Sequence, residues 1–199
     1  MMKTRNMLNQ KLFARLKKEY DTYESQRREL IGISNNALSK SKQAIFALHR
    51  DDADAAARLL HEVEDTFTAL EKRFAKIDGL RWEGAYRAAL EEYVEAKLFF
   101  EFLRTGVVAE IKTVQIDADT YFGGLSDLTG EMTRKCVQRA TQGRMADVEK
   151  LTEAVRAIVG ELIKFDLTGY LRTKYDQAKQ NLRRVEEVLY DIKIRRRGD

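Results

Sequence analysis

Four carboxylates in two short stretches are the residues best placed to do chemistry. In Glu91-Glu92-Tyr93-Val94-Glu95-Ala96, Glu92 and Glu95 lie three apart; in Ser126-Asp127-Leu128-Thr129-Gly130-Glu131, Asp127 and Glu131 lie four apart. On a helix either spacing puts both side chains on one face. The first pair sits among Leu90, Tyr93, Val94, Leu98, Phe99, Phe100, Phe102 and Leu103, and a helix apolar nearly all round is buried. Buried carboxylates are costly unless something positive compensates them. If the two helices pack together, four acidic groups meet, and they cannot all stay ionised without a cation. Oxygen-only ligation suits Mg²⁺ or Mn²⁺. The expectation is an acidic metal site in which Glu92, Glu95, Asp127 and Glu131 are ligands, directly or through water. Such a site can activate water and stabilise the leaving oxygen of a phosphodiester. One of the four could instead accept the proton of the attacking water, and the number of ions stays open. Arg134, three residues after Glu131, projects near the same face and could hold the scissile phosphate or steady a carboxylate. Taken singly, each carboxylate pair is equally the pattern of a solvated helix face or an ion pair.

The elements that would carry these residues all read as helix. Residues 4–50 form one long helix with Leu8, Leu12, Leu16, Tyr20, Tyr23, Leu30, Ile33, Ala37, Ile45 and Leu48 at spacings mostly of three or four, with a bend expected at Gly32. Asp51 or Asp52 caps a second helix from Ala53 to Ile77, ended by Gly79. The third, Trp82 to Arg104, carries Glu92 and Glu95 and breaks at Thr105-Gly106. Val107 to Ile116 could be a short helix or an extended connection. The fourth starts at Asp117 or Asp119 and runs to Thr141. Its Gly123, Gly124 and Gly130 each cost about 1 kcal/mol against alanine in a helix, so a close approach by a neighbour is expected there. A fifth helix covers Met145 to Lys164. The last, Thr168 to Arg195, places Leu171, Tyr175, Ala178, Leu182, Val185, Leu189 and Ile192 at alternating gaps of four and three, a heptad seam that needs a facing helix in this chain or another.

The chain has 199 residues, no proline and 34% charged residues of mixed sign. One all-helical domain over 1–199 is the default. A single cysteine, Cys136, rules out an internal disulfide. No apolar run approaches the roughly 20 residues that span a bilayer, so a cytoplasmic protein is expected. Residues 1–50 hold eleven Lys or Arg against four Asp or Glu, a net +7 within a total of +4. That asymmetry fits a polyanionic partner or merely a solvated basic face. His49 reads as structural, His61 as exposed, Cys136 and Tyr93 as core and Trp82 as an anchor. No glycine-rich phosphate loop is present.

Four blocks, in order, resemble the translin superfamily. They are Ser41-Lys42-Gln43-Ala44-Ile45-Phe46-Ala47-Leu48-His49-Arg50, Glu92-Tyr93-Val94-Glu95-Ala96, Gly124-Leu125-Ser126-Asp127-Leu128-Thr129-Gly130-Glu131-Met132-Thr133-Arg134, and Val185-Glu186-Glu187-Val188-Leu189-Tyr190-Asp191-Ile192-Lys193-Ile194-Arg195. With all four carboxylates in place, the chain resembles the branch of translin-associated factor X, which cuts RNA using acidic residues and Mg²⁺. Its last block is closer to translin itself, and it lacks the long insert of eukaryotic nuclease-branch chains. The mixture resembles the compact prokaryotic, archaeal-type members that assemble with themselves. The resemblance implies an all-α bundle of six to seven long antiparallel helices, assembled into a closed homo-oligomer, an octamer, around RNA. It implies Mg²⁺-dependent cleavage of single-stranded RNA by Glu92, Glu95, Asp127 and Glu131. Lys42 and Arg50, within the first block, are candidates for backbone phosphate contacts, with Arg134 beside the carboxylates. The alternatives are an oligomer that binds RNA or single-stranded DNA without cutting, and a purely structural helical scaffold.

Overall fold

The computed structural model describes residues 8–74, 77 and 79–195. Among them are six α-helices, one 3-10 turn and no strand: α1 Gln10–His49, α2 Ala53–Phe74, the turn Leu80–Trp82, α3 Gly84–Thr105, α4 Ala118–Thr141, α5 Met145–Leu162 and α6 Gly169–Arg195. The all-α class expected from periodicity is therefore what forms. No helix among the described residues is long and apolar enough to cross a membrane.

α1 is a continuous helix of 40 residues, so it spans about 60 Å; Gly32 does not interrupt it. Asn9 caps it by accepting from the Leu12 amide at 3.1 Å. Its first half stands clear of the bundle. Its buried face begins at Leu30 and continues through Ser34, Ala37, Ser41, Ala44, Ile45 and Leu48. These mostly small residues let α2 and α3 lie close against it. α2 buries Ala56, Leu60, Val63, Phe67, Leu70 and Phe74, the stripe expected, and ends at Phe74 rather than Ile77. Of the two candidate caps, Asp52 does the capping, accepting from the Ala55 amide at 2.9 Å.

α3 and α4 form the middle of the bundle. Gly106, at φ +79°, ends α3 in the left-handed conformation that glycine tolerates best. The ambiguous stretch after it has no helix. It drapes over the bundle with Val114 buried and Thr113 hydrogen-bonded to the Tyr93 hydroxyl at 2.8 Å. Asp117 then caps α4, accepting from the Thr120 amide at 2.8 Å. α6 lies along α4 and α5, burying Tyr175, Ala178 and Val185. The heptad seam thus finds its partners inside this chain. Trp82 is not an anchor: it is 71% exposed, because the 3-10 turn directs it outward.

Lys135 of α4 is fully buried. Its ammonium donates to the carbonyls of Leu48 at 2.9 Å and His49 at 3.1 Å and to Asp51 at 2.8 Å. It adds a second donor to each carbonyl at the end of α1, beside the Asp51 amide on Leu48 and the Gln138 side chain on His49. Asp51, held in the left-handed region at φ +63°, also receives Arg139 at 3.0 Å. Hydrogen bonds from Arg139 outweigh burial and, with Lys135, hold the Asp51 carboxyl down to about 2. This knot locks the end of α1 to α4. Lys135→Met should lower unfolding free energy by about 3 kcal/mol, because it removes three charge-assisted hydrogen bonds and one of the two cations beside Asp51. Denaturant titration checks this; a loss below about 0.5 kcal/mol would remove the knot from the list of stabilising contacts.

Candidate acidic site between α3 and α4

The site depends on how closely α3 and α4 approach. A Cβ added at Gly124 would lie 2.7 Å from the Val94 Cβ and 2.8 Å from the Glu91 carbonyl. One added at Gly123 would collide with the Glu91 carboxylate. Gly124 cannot hold a side chain without the helices separating, which is the close approach expected there; at Gly123 a side chain would instead displace the Glu91 carboxylate. Gly130 differs, since a Cβ there would make only an ordinary 3.5 Å contact with Asn181.

The approach brings Glu92, Glu95, Asp127 and Glu131 within electrostatic reach of one another. Glu95 is 8% exposed. Burial, then the fields of Glu92, Asp127 and Glu131, push its carboxyl up to about 9 against the pull of Lys174. It therefore keeps its proton at neutral pH. Glu92 is raised by burial and by Asp127 and Glu131, and lowered by Lys42 and Lys174. Asp127 is raised chiefly by burial, against a hydrogen bond from Lys174.

Three of the four carboxylates have protein cations beside them. Lys42 of α1 lies 3.9 Å from Glu92. Lys174 of α6 bonds to Asp127. Glu131 meets the Nε2 of His49 and lies 3.7 Å from Arg134. Of the three basic residues expected to contact nucleic acid, Lys42 and Arg134 are thus beside the carboxylates. Arg50 is not: it is exposed, with its guanidinium 5.8 Å from the Phe46 ring centroid, on a shallow cleft shared with Lys42.

Among the described residues, no three His, Cys, Asp or Glu side chains converge as a ready-made metal-ligand group. The carboxylates turn instead toward separate cations. In kind, the donor set still fits a hard divalent ion: it is rich in carboxylate oxygens, and it carries the burial and mutual repulsion that such an ion relieves.

Four neighbours of the site were not expected from sequence. His49, read as structural, packs on Phe99 with ring centroids 5.3 Å apart and holds Glu131. Glu91 adds a fifth carboxylate, accepting from the Tyr170 hydroxyl at 2.6 Å and pairing with Lys174 at 2.9 Å. Glu91 and His49 had a usable signal, since each lies within or beside a block already singled out. Tyr170 and Lys174 had none; their place depends on how α6 docks.

The shift at Glu95 has a definite sign. Its folded value of about 9 exceeds the ordinary 4.5, so the native state binds the extra proton between them. The stability this contributes is full below 4.5 and is lost as pH rises through about 9. Glu95→Gln should flatten that decline and melt above wild type at the alkaline end. Melting temperatures across this range provide the check; parallel curves would mean that Glu95 titrates normally.

The Translin family model matches residues 25–196. The Schizosaccharomyces pombe translin-associated protein X homolog is 26% identical over 198 residues, covering 88% of this chain and 84% of that protein. Homo sapiens translin is 26% identical over 148 residues, covering 67% of this chain and 65% of that protein. The structure of AfC3PO in complex with duplex RNA superposes with a TM-score of 0.84 at 19% identity, covering 94% of this chain and 99% of that one. At that identity the match speaks for the fold. With the family model spanning most of its length, this chain belongs to the Translin family.

Proposed function

We propose that this protein is a metal-dependent endoribonuclease that cuts single-stranded RNA inside a homo-oligomer. The observation that carries the reading is the glycine-permitted packing of α3 on α4, which gathers Glu92, Glu95, Asp127 and Glu131 and raises Glu95. Mg²⁺, or Mn²⁺ in its place, would be held by these four groups and would supply an activated water and charge for the leaving oxygen. The chain's own residues do the rest. Lys42 and Arg134, both exposed beside the carboxylates, reach phosphate oxygens, and Arg50 extends that basic edge along the end of α1. His49 fixes the Glu131 carboxylate. One carboxylate takes the proton of the attacking water.

Self-association is part of the proposal. The projecting half of α1 exposes Leu12, Phe13, Leu16 and Tyr20, an apolar strip without cover in one subunit, and a closed octamer in the cytoplasm is the assembly we favour. RNA binding draws further support from the duplex RNA in the AfC3PO complex. The competing reading is a translin-like binder of RNA or single-stranded DNA that does not cut. The separate pairing of the carboxylates with Lys174, Lys42 and His49 favours it.

Labelled single-stranded RNA incubated with Mg²⁺, Mn²⁺ or a chelator separates the two. Cleavage should need the metal and should fall by about a hundredfold or more in Asp127→Asn, with oligomer mass and RNA binding kept. Intact RNA in every lane would leave the binding protein. RNA affinity should also drop steeply between low and moderate salt, through counterion release; an affinity flat in salt would take the basic edge out of the interface.

A further inference from the structure

We propose that Lys174 is a positioning residue occupying the cation position of the acidic centre, so that a divalent ion can reach Asp127 only when Lys174 withdraws. The inference rests on the reading of the four carboxylates as a metal site.

Lys174 is the one cation at this centre that is largely shielded from solvent. Its side chain is 16% exposed, between Glu91 at 15% and Asp127 at 27%. Lys42 and Arg134 are 60% and 57% exposed, so their pairs are loose and screened. Lys174 also joins two helices, because Glu91 comes from α3 and Asp127 from α4. Tyr170, one turn earlier on α6, closes the arrangement from behind. Its hydroxyl donates to Glu91 at 2.6 Å, and its ring centroid lies 5.2 Å from the ammonium.

Occupancy gives this geometry its consequence. Lys42, Lys174, Arg134 and the His49 ring face Glu91, Glu92, Asp127 and Glu131. At Asp127 the occupant is Lys174, so a divalent ion must enter the place its ammonium holds. A cleft of about 680 Å³ opens beside it, lined by Glu91, Asp119, Asp166 and Tyr170 among others. The cleft gives a withdrawn Lys174 side chain open volume, with Arg87 as well as the acids on its wall.

Mn²⁺ titration of the metal-stripped full-length protein, by calorimetry or by the spin-resonance signal of free Mn²⁺, tests this. Lys174→Met should bind Mn²⁺ about tenfold more tightly than wild type, since a competing charge at close range is removed, whereas Lys174→Arg should bind no more tightly. Without metal, Lys174→Met should melt below wild type, and Mn²⁺ should raise its melting temperature by more. Lys174→Gln is measured alongside and decides the matter if the methionine variant does not fold. Equal or weaker Mn²⁺ binding in the uncharged variants, with wild-type binding lost in Asp127→Asn, would overturn the competitor role and leave the metal site standing. Wild type and Asp127→Asn binding Mn²⁺ alike would instead remove the metal site, and this inference with it.

Discussion

The separation between α3 and α4 is the constraint on which the rest depends. Two successive glycines let the backbone of α4 ride against Val94 and the Glu91 carbonyl. A helix interior does not choose glycine for its own stability. What it gains is a position for Asp127 and Glu131 that a larger residue at 124 would forbid, and at 123 room for the Glu91 carboxylate. The remaining helices serve that pair: α1 brings His49 and Lys42 to one side, and α6 brings Lys174 and Tyr170 to the other. The Lys135 knot fixes the end of α1, and with it the height of His49 above Glu131.

Electrostatics then sets what this proximity costs. Burying several carboxylates together is unfavourable unless some are neutralised, by a proton, a protein cation or a metal. The fold uses the first two at once. Glu95 takes a proton, and Lys174, Lys42 and the His49–Arg134 pair serve the others. The centre is therefore stable as it stands, yet it holds more acidic groups than its shielded cations can satisfy.

Much of this was legible in the sequence, for identifiable reasons. Helix existence and most ends followed from apolar periodicity and from signals at Asp52, Asp117 and Gly106, because those signals are local. The carboxylate pairs were legible because their spacing and apolar setting conflict, and such conflicts mark sites. Gly123 and Gly124 were readable as a close approach for the same reason, while Gly130 shows that not every helical glycine has one. What stayed hidden depends on docking between distant elements. The α6 seam could have faced another chain, and only its packing on α4 and α5 places Lys174 at Asp127. The burial of Lys135 was invisible because lysine is ordinarily a surface residue. His49 was read as structural because its partner is a carboxylate 82 residues away, which no local pattern announces.

The most direct measurement is the titration of the Glu95 side-chain carboxyl by carbon-13 NMR in the metal-free protein. Its midpoint reports burial and the crowding of the neighbouring acids in one number. A midpoint at about 9 is predicted, and a midpoint near the ordinary 4.5 would contradict the clustering of the four carboxylates between α3 and α4.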